Sequence, residues 1–192
     1  MNVYDFDGTI YNGDSGVDFV KFMVCKRPFL VCKYLFMCII PSISYCLKKI
    51  TFQELKEKVF AFVKVVDDLK IFTEEFAELH KNDIKKYYLD TRKDNDVIVS
   101  ASLDFYLVPL CDKIGIKKVI CTKYDVNSGK IVGVNCKGDE KVKRFDEIYG
   151  KDAVIENAFG DSESDVPIIK RAKNGFIVRN NEFIPYSDSF KF

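Results

Sequence analysis

The second half of the chain alternates short, apolar, β-branched segments with segments of helical character, and this alternation limits the possible folds more than any other feature. The strand-like segments are residues 97–99, 118–121, 158–159 and 176–178, and the helical segments are residues 102–113, 141–149 and 166–172. Repeated strand–helix units form a parallel sheet with helices on both faces. With a further apolar segment at residues 2–6, they predict an α/β fold built on a doubly wound parallel sheet.

The region between the first strand and these repeated units has a different character, because its apolar residues recur at helical spacing. Thr51-Phe52-Gln53-Glu54 has the pattern of a capping box, which predicts a helix that starts at Thr51. Pro28 and Pro41 are expected to separate helices. We therefore divide the chain into a core, residues 1–14 and 89–192, and an all-helical insert, residues 15–88.

Charge and cysteine content argue against several classes of protein. The net charge of the 192 residues is +1, which offers no electrostatic argument for nucleic-acid binding. The seven cysteines include no C-x-x-C pair, so they fit neither a zinc site nor a disulfide scaffold and favour a reducing, cytoplasmic location. The most apolar segment, residues 28–40, contains Lys33 and ends at Pro41. A spanning helix needs about 20 residues, so we expect a soluble protein.

Polar side chains follow three of the predicted strands at the point where each strand ends. The residues at these ends are Asp5 and Asp7, Ser100, and Asp161 with Asp165. Open α/β sheets bind their ligands at the carboxyl ends of the strands. Paired carboxylates followed by Gly8 suit a hard cation or a phosphoryl group, although a polar turn explains a single D-x-D-G pattern equally well.

Some of these residues also have ordinary structural explanations. Ser100 could cap a helix, but Ser102 is the better candidate because Ser100 closes the strand. Asp165 could cap the helix that follows it. The only histidine, His80, lies in the insert, and no G-x-x-x-x-G-K-[ST] loop is present. A histidine-based hydrolase and a P-loop kinase are therefore unsupported.

Taken in order, four elements of the sequence resemble the motifs of the haloacid dehalogenase-like (HAD) phosphatase superfamily: D-F-D-G-T at residues 5–9, Ser100, Lys141, and G-D-S-E-S-D at residues 160–165. The resemblance covers the whole chain, and the insert takes the position of the C1 cap of the phosphoserine-phosphatase-like branch. It implies a Rossmann-like core with strand order 5-4-1-2-3. The spacing of the family selects Lys141 over Lys137 and Lys143.

The resemblance also implies a Mg²⁺-dependent phosphatase that works through an aspartyl phosphate. Asp5 is the implied nucleophile, and Asp7 is the implied general acid and base. Mg²⁺ would be held by Asp5, the backbone carbonyl of Asp7 and Asp161, with Asp165 acting in the second sphere or through water. The implied phosphate-binding groups are Lys141, Ser100 and the backbone N–H groups after Asp5, including those of Gly8 and Thr9.

The insert is expected to select the substrate. Asp14 and Ser15 lie where the substrate loop of the family begins, although helix capping explains them equally well. Ser164 stands where phosphoserine phosphatases have asparagine, which argues against L-phosphoserine. We expect a small phosphorylated substrate, and a phosphotransferase or a phosphate-ester-binding protein with the same site is the alternative.

A lipid phosphate is a further alternative, because residues 29–45 are unusually apolar and are flanked by Lys26, Arg27, Lys48 and Lys49. Packing of the insert against the core explains this composition. The other explanation is an apolar pocket or an interfacial face in peripheral contact with a membrane. Bacterial phosphatidylglycerophosphate phosphatases resemble the chain in having a similarly placed apolar cap.

Overall fold

A computed structural model describes all 192 residues and contains a six-stranded sheet and a small hairpin. The strands of the sheet are β1 (Asn2–Tyr4), β2 (Val97–Leu103), β3 (Val119–Thr122), β6 (Asn157–Gly160), β7 (Asn174–Arg179) and β8 (Glu182–Pro185), and the hairpin is formed by β4 (Tyr124–Asp125) and β5 (Lys130–Ile131). The order across the sheet is β3-β2-β1-β6-β7-β8. All neighbours are parallel except β8, which runs antiparallel to β7.

The order of the five parallel strands confirms the predicted fold. β1 pairs with β2 through Val3 and Val97, and with β6 through Val3 and Ala158. The strands that lead to Asp5, Ser100 and Asp161 are therefore neighbours at the centre of the sheet. Sequence reasoning missed β8, whose signal was the turn at residues 180–181, where two asparagines adopt left-handed backbone conformations.

Nine α-helices surround the sheet. Those of the insert are α1 (Ser15–Lys26), α2 (Pro28–Met37), α3 (Ile39–Cys46), α4 (Phe52–Val59), α5 (Leu69–His80) and α6 (Lys86–Thr91), and those of the core are α7 (Asp104–Lys113), α8 (Asp139–Tyr149) and α9 (Val166–Arg171). The proposed boundary at residue 88 falls inside α6. There Tyr88 packs edge-on against Tyr4 of β1, with ring centroids 5.0 Å apart, so the last helix of the insert already contacts the sheet.

The capping box at Thr51 is confirmed, since its side chain accepts from the backbone N–H of Glu54 and the Glu54 carboxylate accepts from that of Thr51. Pro28 begins α2 as expected. Pro41 does not separate helices, because it lies in the first turn of α3, where a missing N–H group costs no hydrogen bond. The break between α2 and α3 is at Cys38 instead.

Because Pro41 does not end the helical region, the apolar stretch is longer than predicted. Residues Pro28–Cys46, 19 in all, are long and apolar enough to cross a membrane by length and composition alone. The expectation that this segment is too short was therefore wrong. Only 11% of its apolar window is buried, so packing against the core accounts for only part of its composition.

The insert and the core share one hydrophobic interior. Phe19 of α1 stacks on Tyr106 of α7, with centroids 5.2 Å apart, and meets Phe76 of α5 edge-on at 5.2 Å. These residues belong to one cluster of 28 buried side chains that spans both parts of the chain. A second cluster of 11 side chains lies on the other face of the sheet. The insert is therefore packed onto the sheet over a continuous apolar surface.

This shared interior predicts that the chain unfolds in a single transition to which Phe19 contributes strongly. Phe19→Ala removes a fully buried ring and should lower the free energy of unfolding by about 3–5 kcal/mol. Phe36→Ala is the matched control, because Phe36 is 73% exposed and should change stability by less than about 0.5 kcal/mol. Denaturant unfolding followed by circular dichroism measures both values. Two separate transitions in the native chain would contradict the prediction.

Candidate active site

A cavity of about 630 Å³ lies at the carboxyl ends of the central strands, between the sheet and the insert. Its floor is formed by polar residues of the core, which are Asp5, Asp7, Gly8, Ser100, Ser102, Lys141 and Asp161. Its apolar roof is formed by residues of α1 and α4, which are Val17, Val20, Leu55 and Val59, with Phe60 immediately after α4. The fold therefore brings together residues from three strand ends, as predicted, under the helices of the insert.

Lys141 joins the carboxylate of Asp5, in the floor, to the buried carboxylate of Asp165. Its Nζ atom lies 2.5 Å from Oδ1 of Asp5 and 2.5 Å from Oδ1 of Asp165, and only 1% of its side chain is exposed. Of the competing lysines, Lys143 is 63% exposed and pairs with Glu140 and Glu147 on its own helix. Lys137 lies over the ring of Phe52 at the cavity wall. The buried cation of the site is thus Lys141.

Burial and charge act against each other in this cluster. Burial raises the pKa of Asp5, and repulsion by Asp165 and Asp7 raises it further, while the Lys141 cation and its hydrogen bond oppose the rise. Burial alone would lower the pKa of Lys141, but attraction to Asp5 and Asp165 outweighs it and leaves that pKa above its ordinary value. The lysine is therefore a permanent cation that favours the ionised form of Asp5.

Unlike Asp5 and Asp165, Asp161 forms no ion pair within 4.0 Å. Burial and the nearby charge of Asp165 raise its pKa to about 6. Asp165 is satisfied differently: besides Lys141, it accepts hydrogen bonds from the backbone N–H groups of Asp161 and Ser162 and from the Ser162 hydroxyl. Asp165 thus holds both Lys141 and the loop that carries Asp161.

The carboxylate cluster fits a divalent cation with oxygen ligands. Ligand atoms of Asp5, Asp161 and Asp165 lie within 4.8 Å of one another, and carboxylate oxygens are the ligands that Mg²⁺ prefers. A cation beside Asp161 would compensate the buried charge that Lys141 leaves unpaired. Gly8 makes the necessary room, because a Cβ atom there would lie 2.0 Å from Oδ2 of Asp161. The side chain of Asp7 is not part of this cluster.

Both oxygens of Asp7 are engaged by hydroxyl and amide donors. Oδ1 accepts from the backbone N–H of Ser15 at 2.6 Å, and Oδ2 accepts from the hydroxyl of Ser102. Burial raises the pKa of Asp7, and the hydrogen bonds from Ser102 and Ser15 oppose the rise. A carboxyl group with a raised pKa and a fixed orientation is suited to donating a proton.

Ser102 is a site residue that sequence reasoning missed. The prediction ended the second strand at Ser100 and placed Ser102 at the start of a helix, whereas β2 continues to Leu103. Two serines two apart on a strand share a face, and both Ser100 and Ser102 line the cavity. The hydroxyl of Ser100 accepts from the N–H of Ser102 at 3.0 Å. The period-two spacing was the signal that would have identified the second serine.

Of the backbone groups expected to bind phosphate, the structure leaves only some available. The N–H of Gly8 donates to the carbonyl of Gly13 at 2.9 Å, while those of Phe6 and Asp7 donate to no backbone carbonyl. Thr9 is fully buried outside the cavity, and its hydroxyl has no hydrogen-bond partner. The expectation is corrected for Gly8, because the turn uses its amide. The N–H of Thr9 donates to no backbone carbonyl, so phosphate binding by that group stays a prediction, although the core encloses its side chain.

The substrate-loop candidates occupy different places. Asp14 lines the cavity and caps α1 by accepting from the N–H of Val17 at 2.9 Å. Ser15 is buried behind Asp7 and lies 3.3 Å from the hydroxyl of Ser102. Asp14 therefore both caps α1 and lines the site. Ser15 orients Asp7 through its backbone N–H.

Lys56 of α4 is a second cavity residue that was missed. Its Nζ donates to the carbonyl of Ala101 at 2.6 Å, and burial lowers its pKa to about 8, although the charges of Asp7 and Asp14 oppose this. Lys56 stands between Phe52 and Phe60 in a row with four-residue spacing that is otherwise apolar. A lysine in such a row was the available signal.

With this geometry in place, comparison with known proteins decides the family. A model of the haloacid dehalogenase-like hydrolases matches residues 3–170. The chain belongs to this family. This HAD hydrolase is also 28% identical over 182 residues to Protein CicA from Caulobacter vibrioides (strain NA1000 / CB15N), a match that covers 86% of the chain and 80% of CicA.

Two solved structures share the fold of the HAD hydrolase at low sequence identity. A protein with unknown function from Bordetella pertussis Tohama I has a TM-score of 0.72 and 17% identity, with 88% of this chain and 85% of that chain covered. A phospho-aspartyl intermediate analogue of phosphoserine phosphatase has a TM-score of 0.53 and 18% identity, with 92% and 83% covered. Both likenesses concern the fold.

The tight contact at Gly8 predicts a selective loss of cation binding. Gly8→Ala and Gly133→Ala both place a side chain on left-handed backbone, with φ values of +71° and +79°, at a cost of about 1–2 kcal/mol each. Only Gly8→Ala also displaces Asp161, since Gly133 has no neighbour within 4 Å. Mg²⁺ at about one hundred times its dissociation constant should stabilise the native chain and Gly133→Ala by about 2.7 kcal/mol.

Thermal unfolding with and without Mg²⁺ measures this effect, and Gly8→Ala should show little or none of it. Equal stabilisation of both variants would show that Asp161 does not bind the cation.

Proposed function

We propose that the HAD hydrolase is a phosphatase that cleaves a phosphate monoester through an aspartyl-phosphate intermediate formed on Asp5. The observation that supports this best is the position of the Asp5 carboxylate. It faces the cavity, is held by the buried Lys141 cation, and lies two residues before the oriented acid Asp7. This arrangement supplies a nucleophile, a charge that stabilises it, and a proton donor within one short loop.

In the first step an oxygen of Asp5 attacks phosphorus, and the bond from phosphorus to the ester oxygen breaks. Asp7 gives its proton to that oxygen, so the leaving alcohol departs neutral. The raised pKa of Asp7, caused by burial, favours the protonated form that this step requires. Lys141, Ser100 and the free N–H groups of Phe6 and Asp7 stabilise the phosphoryl oxygens.

In the second step water attacks the aspartyl phosphate, and Asp7, now ionised, accepts the proton of the water. The bond between phosphorus and Asp5 breaks, and inorganic phosphate leaves. Asp5 and Asp161 would hold Mg²⁺, with Asp165 positioning their surroundings. When bound, Mg²⁺ neutralises charge on the phosphoryl oxygens. The phosphoserine phosphatase that shares this fold was solved as a phospho-aspartyl intermediate analogue, which supports the same route here.

The substrate class follows from the walls of the cavity. Asp14, Lys56 and Lys137 offer charged groups to a small polar metabolite, which is the first candidate. The apolar roof from α1 and α4 supports a second candidate, a phosphate monoester whose leaving group is partly apolar, such as a lipid phosphate. Seven unpaired cysteines support a cytoplasmic location. A phosphotransferase would use the same residues with an alcohol in place of water.

Substitution of the nucleophile tests the proposal most directly. Asp5→Asn should lower Mg²⁺-dependent release of phosphate from an aryl phosphate by at least about a thousandfold, because an amide is not a nucleophile here. Lys141 retains Asp165 as a partner, so the variant should remain folded. Asp90→Asn, at an exposed position in α6, is the control and should retain native activity. An active Asp5→Asn variant would exclude Asp5 as the nucleophile.

The division of labour between the two aspartates predicts a trapped intermediate. Asp7→Asn should still be phosphorylated by an aryl phosphate, whose leaving group needs little protonation, but it lacks the base for the second step. Mass spectrometry after an acid quench should therefore detect phosphorylated Asp5 in Asp7→Asn and none in the double variant with Asp5→Asn. A native rate of turnover in Asp7→Asn would refute the assigned acid–base role.

The hydrogen bond from Ser102 predicts the direction of a pH effect. This bond lowers the pKa of Asp7, so Ser102→Ala should raise it. With an alkyl phosphate, kcat/KM requires protonated Asp7 and falls as pH rises through its pKa, so the fall should move to higher pH in Ser102→Ala. Ser187→Ala is the control, because Ser187 is exposed and its hydroxyl contacts Ser189 rather than Asp7. An unshifted or acid-shifted profile would contradict the role of Ser102.

A further inference from the structure

Helices α2 and α3 present an apolar face to solvent that no part of the chain covers. We define the apolar face by six exposed side chains: Phe29, Phe36, Met37, Ile39, Ile40 and Ile43. Phe29 is 93% exposed, Ile40 75% and Phe36 73%. Six large apolar side chains exposed within 15 residues of the chain are unusual for a soluble monomer without a partner.

The sequence segment that carries the apolar face has charges of one sign only. No aspartate or glutamate occurs between Asp18 and Glu54, although the chain contains 29 acidic residues. Lys33, Lys48 and Lys49 are exposed in this region and form no ion pair. Lys26, by contrast, is paired with Glu75 at 2.7 Å. Free cations therefore lie within the segment that carries the apolar face and directly after it, which suits a negatively charged surface.

In this fold, the packing of α2 and α3 against the rest of the chain does not allow them to span a membrane. Val31 and Cys38 are buried, and Leu30, Tyr34 and Leu35 pack against the main hydrophobic cluster. One side of α2 is therefore packed against the main hydrophobic cluster. Lys33 lies in the middle of the helix. A pair of helices with one packed side, one apolar side and flanking lysines is typical of an element that lies in a membrane interface.

The apolar face continues to the mouth of the active-site cavity. Tyr45, near the end of α3, packs against Phe52 at the start of α4, with ring centroids 5.9 Å apart. Phe52 is 42% exposed and also lines the cavity. Val17 of α1, 49% exposed, lines the same cavity. A surface that covers the apolar face would therefore lie beside the entrance to the site.

We propose that the apolar face docks on a lipid bilayer that contains anionic lipids, and that the substrate is a phosphate monoester carried on a lipid headgroup at that surface. The exposed side chains enter the headgroup region, and Lys33, Lys48 and Lys49 contact anionic headgroups. The substrate part of this inference rests on the proposed phosphatase function. The docking part does not, because it depends on residues outside the catalytic cavity.

A bilayer fits the apolar face better than a second copy of the chain. In a two-fold dimer through this face, the same surface meets itself. The unpaired cations of one copy would then approach those of the other across an apolar contact, where like charges repel strongly. An anionic membrane supplies opposite charge instead.

Co-sedimentation with vesicles tests the docking. The native protein should bind vesicles of phosphatidylcholine mixed with phosphatidylglycerol more tightly than vesicles of phosphatidylcholine alone. The triple variant Phe29→Ser/Phe36→Ser/Ile40→Ser should bind at least about tenfold more weakly, because each large side chain contributes roughly that factor when fully transferred. The matched control is Leu79→Ser/Ile148→Ser/Val154→Ser, at exposed positions elsewhere, and it should bind like the native protein.

A second pair of variants tests the contribution of the lysine charges to vesicle binding. Lys33→Glu/Lys49→Glu should lose the preference for anionic vesicles, whereas Lys123→Glu/Lys151→Glu, exposed on the core, should keep it. Binding to neither kind of vesicle, or equal binding by both triple variants, would overturn the docking. A concentration-dependent dimer that Phe29→Ser/Phe36→Ser/Ile40→Ser abolishes would overturn it in favour of self-association.

Activity measurements separate this inference from the proposed function. Phosphate release from phosphatidic acid in vesicles should exceed that from free glycerol 3-phosphate in the native protein, and the apolar-face variant should lose this preference. All these surface variants should hydrolyse a soluble aryl phosphate at the native rate, and Asp5→Asn should still bind vesicles. Docking without any hydrolysis would refute the phosphatase alone, whereas equal hydrolysis of the two substrates would refute the lipid assignment.

Discussion

The ion pairs of Lys141 are the interaction on which the rest of the site depends. A lysine that is 1% exposed is stable as a cation only because Asp5 and Asp165 both lie 2.5 Å from its Nζ. These contacts connect the end of β1, the loop after β6 and the helix α8. Removing one partner of a buried pair costs about 3–5 kcal/mol. The charges therefore hold three separate segments at the same sheet edge, and the chemistry of the site uses the same contacts.

The helices of the insert cover the strand ends and complete the active-site cavity. The insert shares one hydrophobic cluster with the core, so its helices are held over the strand ends, and they give the cavity an apolar roof above a charged floor. Exclusion of water from such a space strengthens every electrostatic interaction within it. The same insert carries an exposed apolar face on α2 and α3. The side of the insert that packs against the core covers the active site. The apolar face, on α2 and α3, is available to bind a membrane surface.

Much of the architecture could be predicted because it depends on sequence patterns within short segments. The β-branched segments, the capping box at Thr51 and the helical spacing of the insert each depend on neighbours within a few residues. The prediction failed at a few individual residues. Pro41 was interpreted as a break but fits the first turn of a helix, and Ser102 was assigned to a helix although β2 runs past it. The N–H of Gly8 was assigned to phosphate, but it donates to the carbonyl of Gly13.

The sequence by itself determined which chemical groups stand at the strand ends and in what order, because strand propensity and the period-two pattern are properties of short segments. It therefore placed Asp5, Asp7, Ser100 and Asp161 at strand ends, and the resemblance to the HAD family implied that these strands are neighbours. Only the tertiary structure decided that Lys141 pairs with both Asp5 and Asp165, that Ser102 orients Asp7, and that Lys56 reaches the cavity from the insert. Each of these contacts joins segments more than 20 residues apart, and such pairings arise only when the chain has packed.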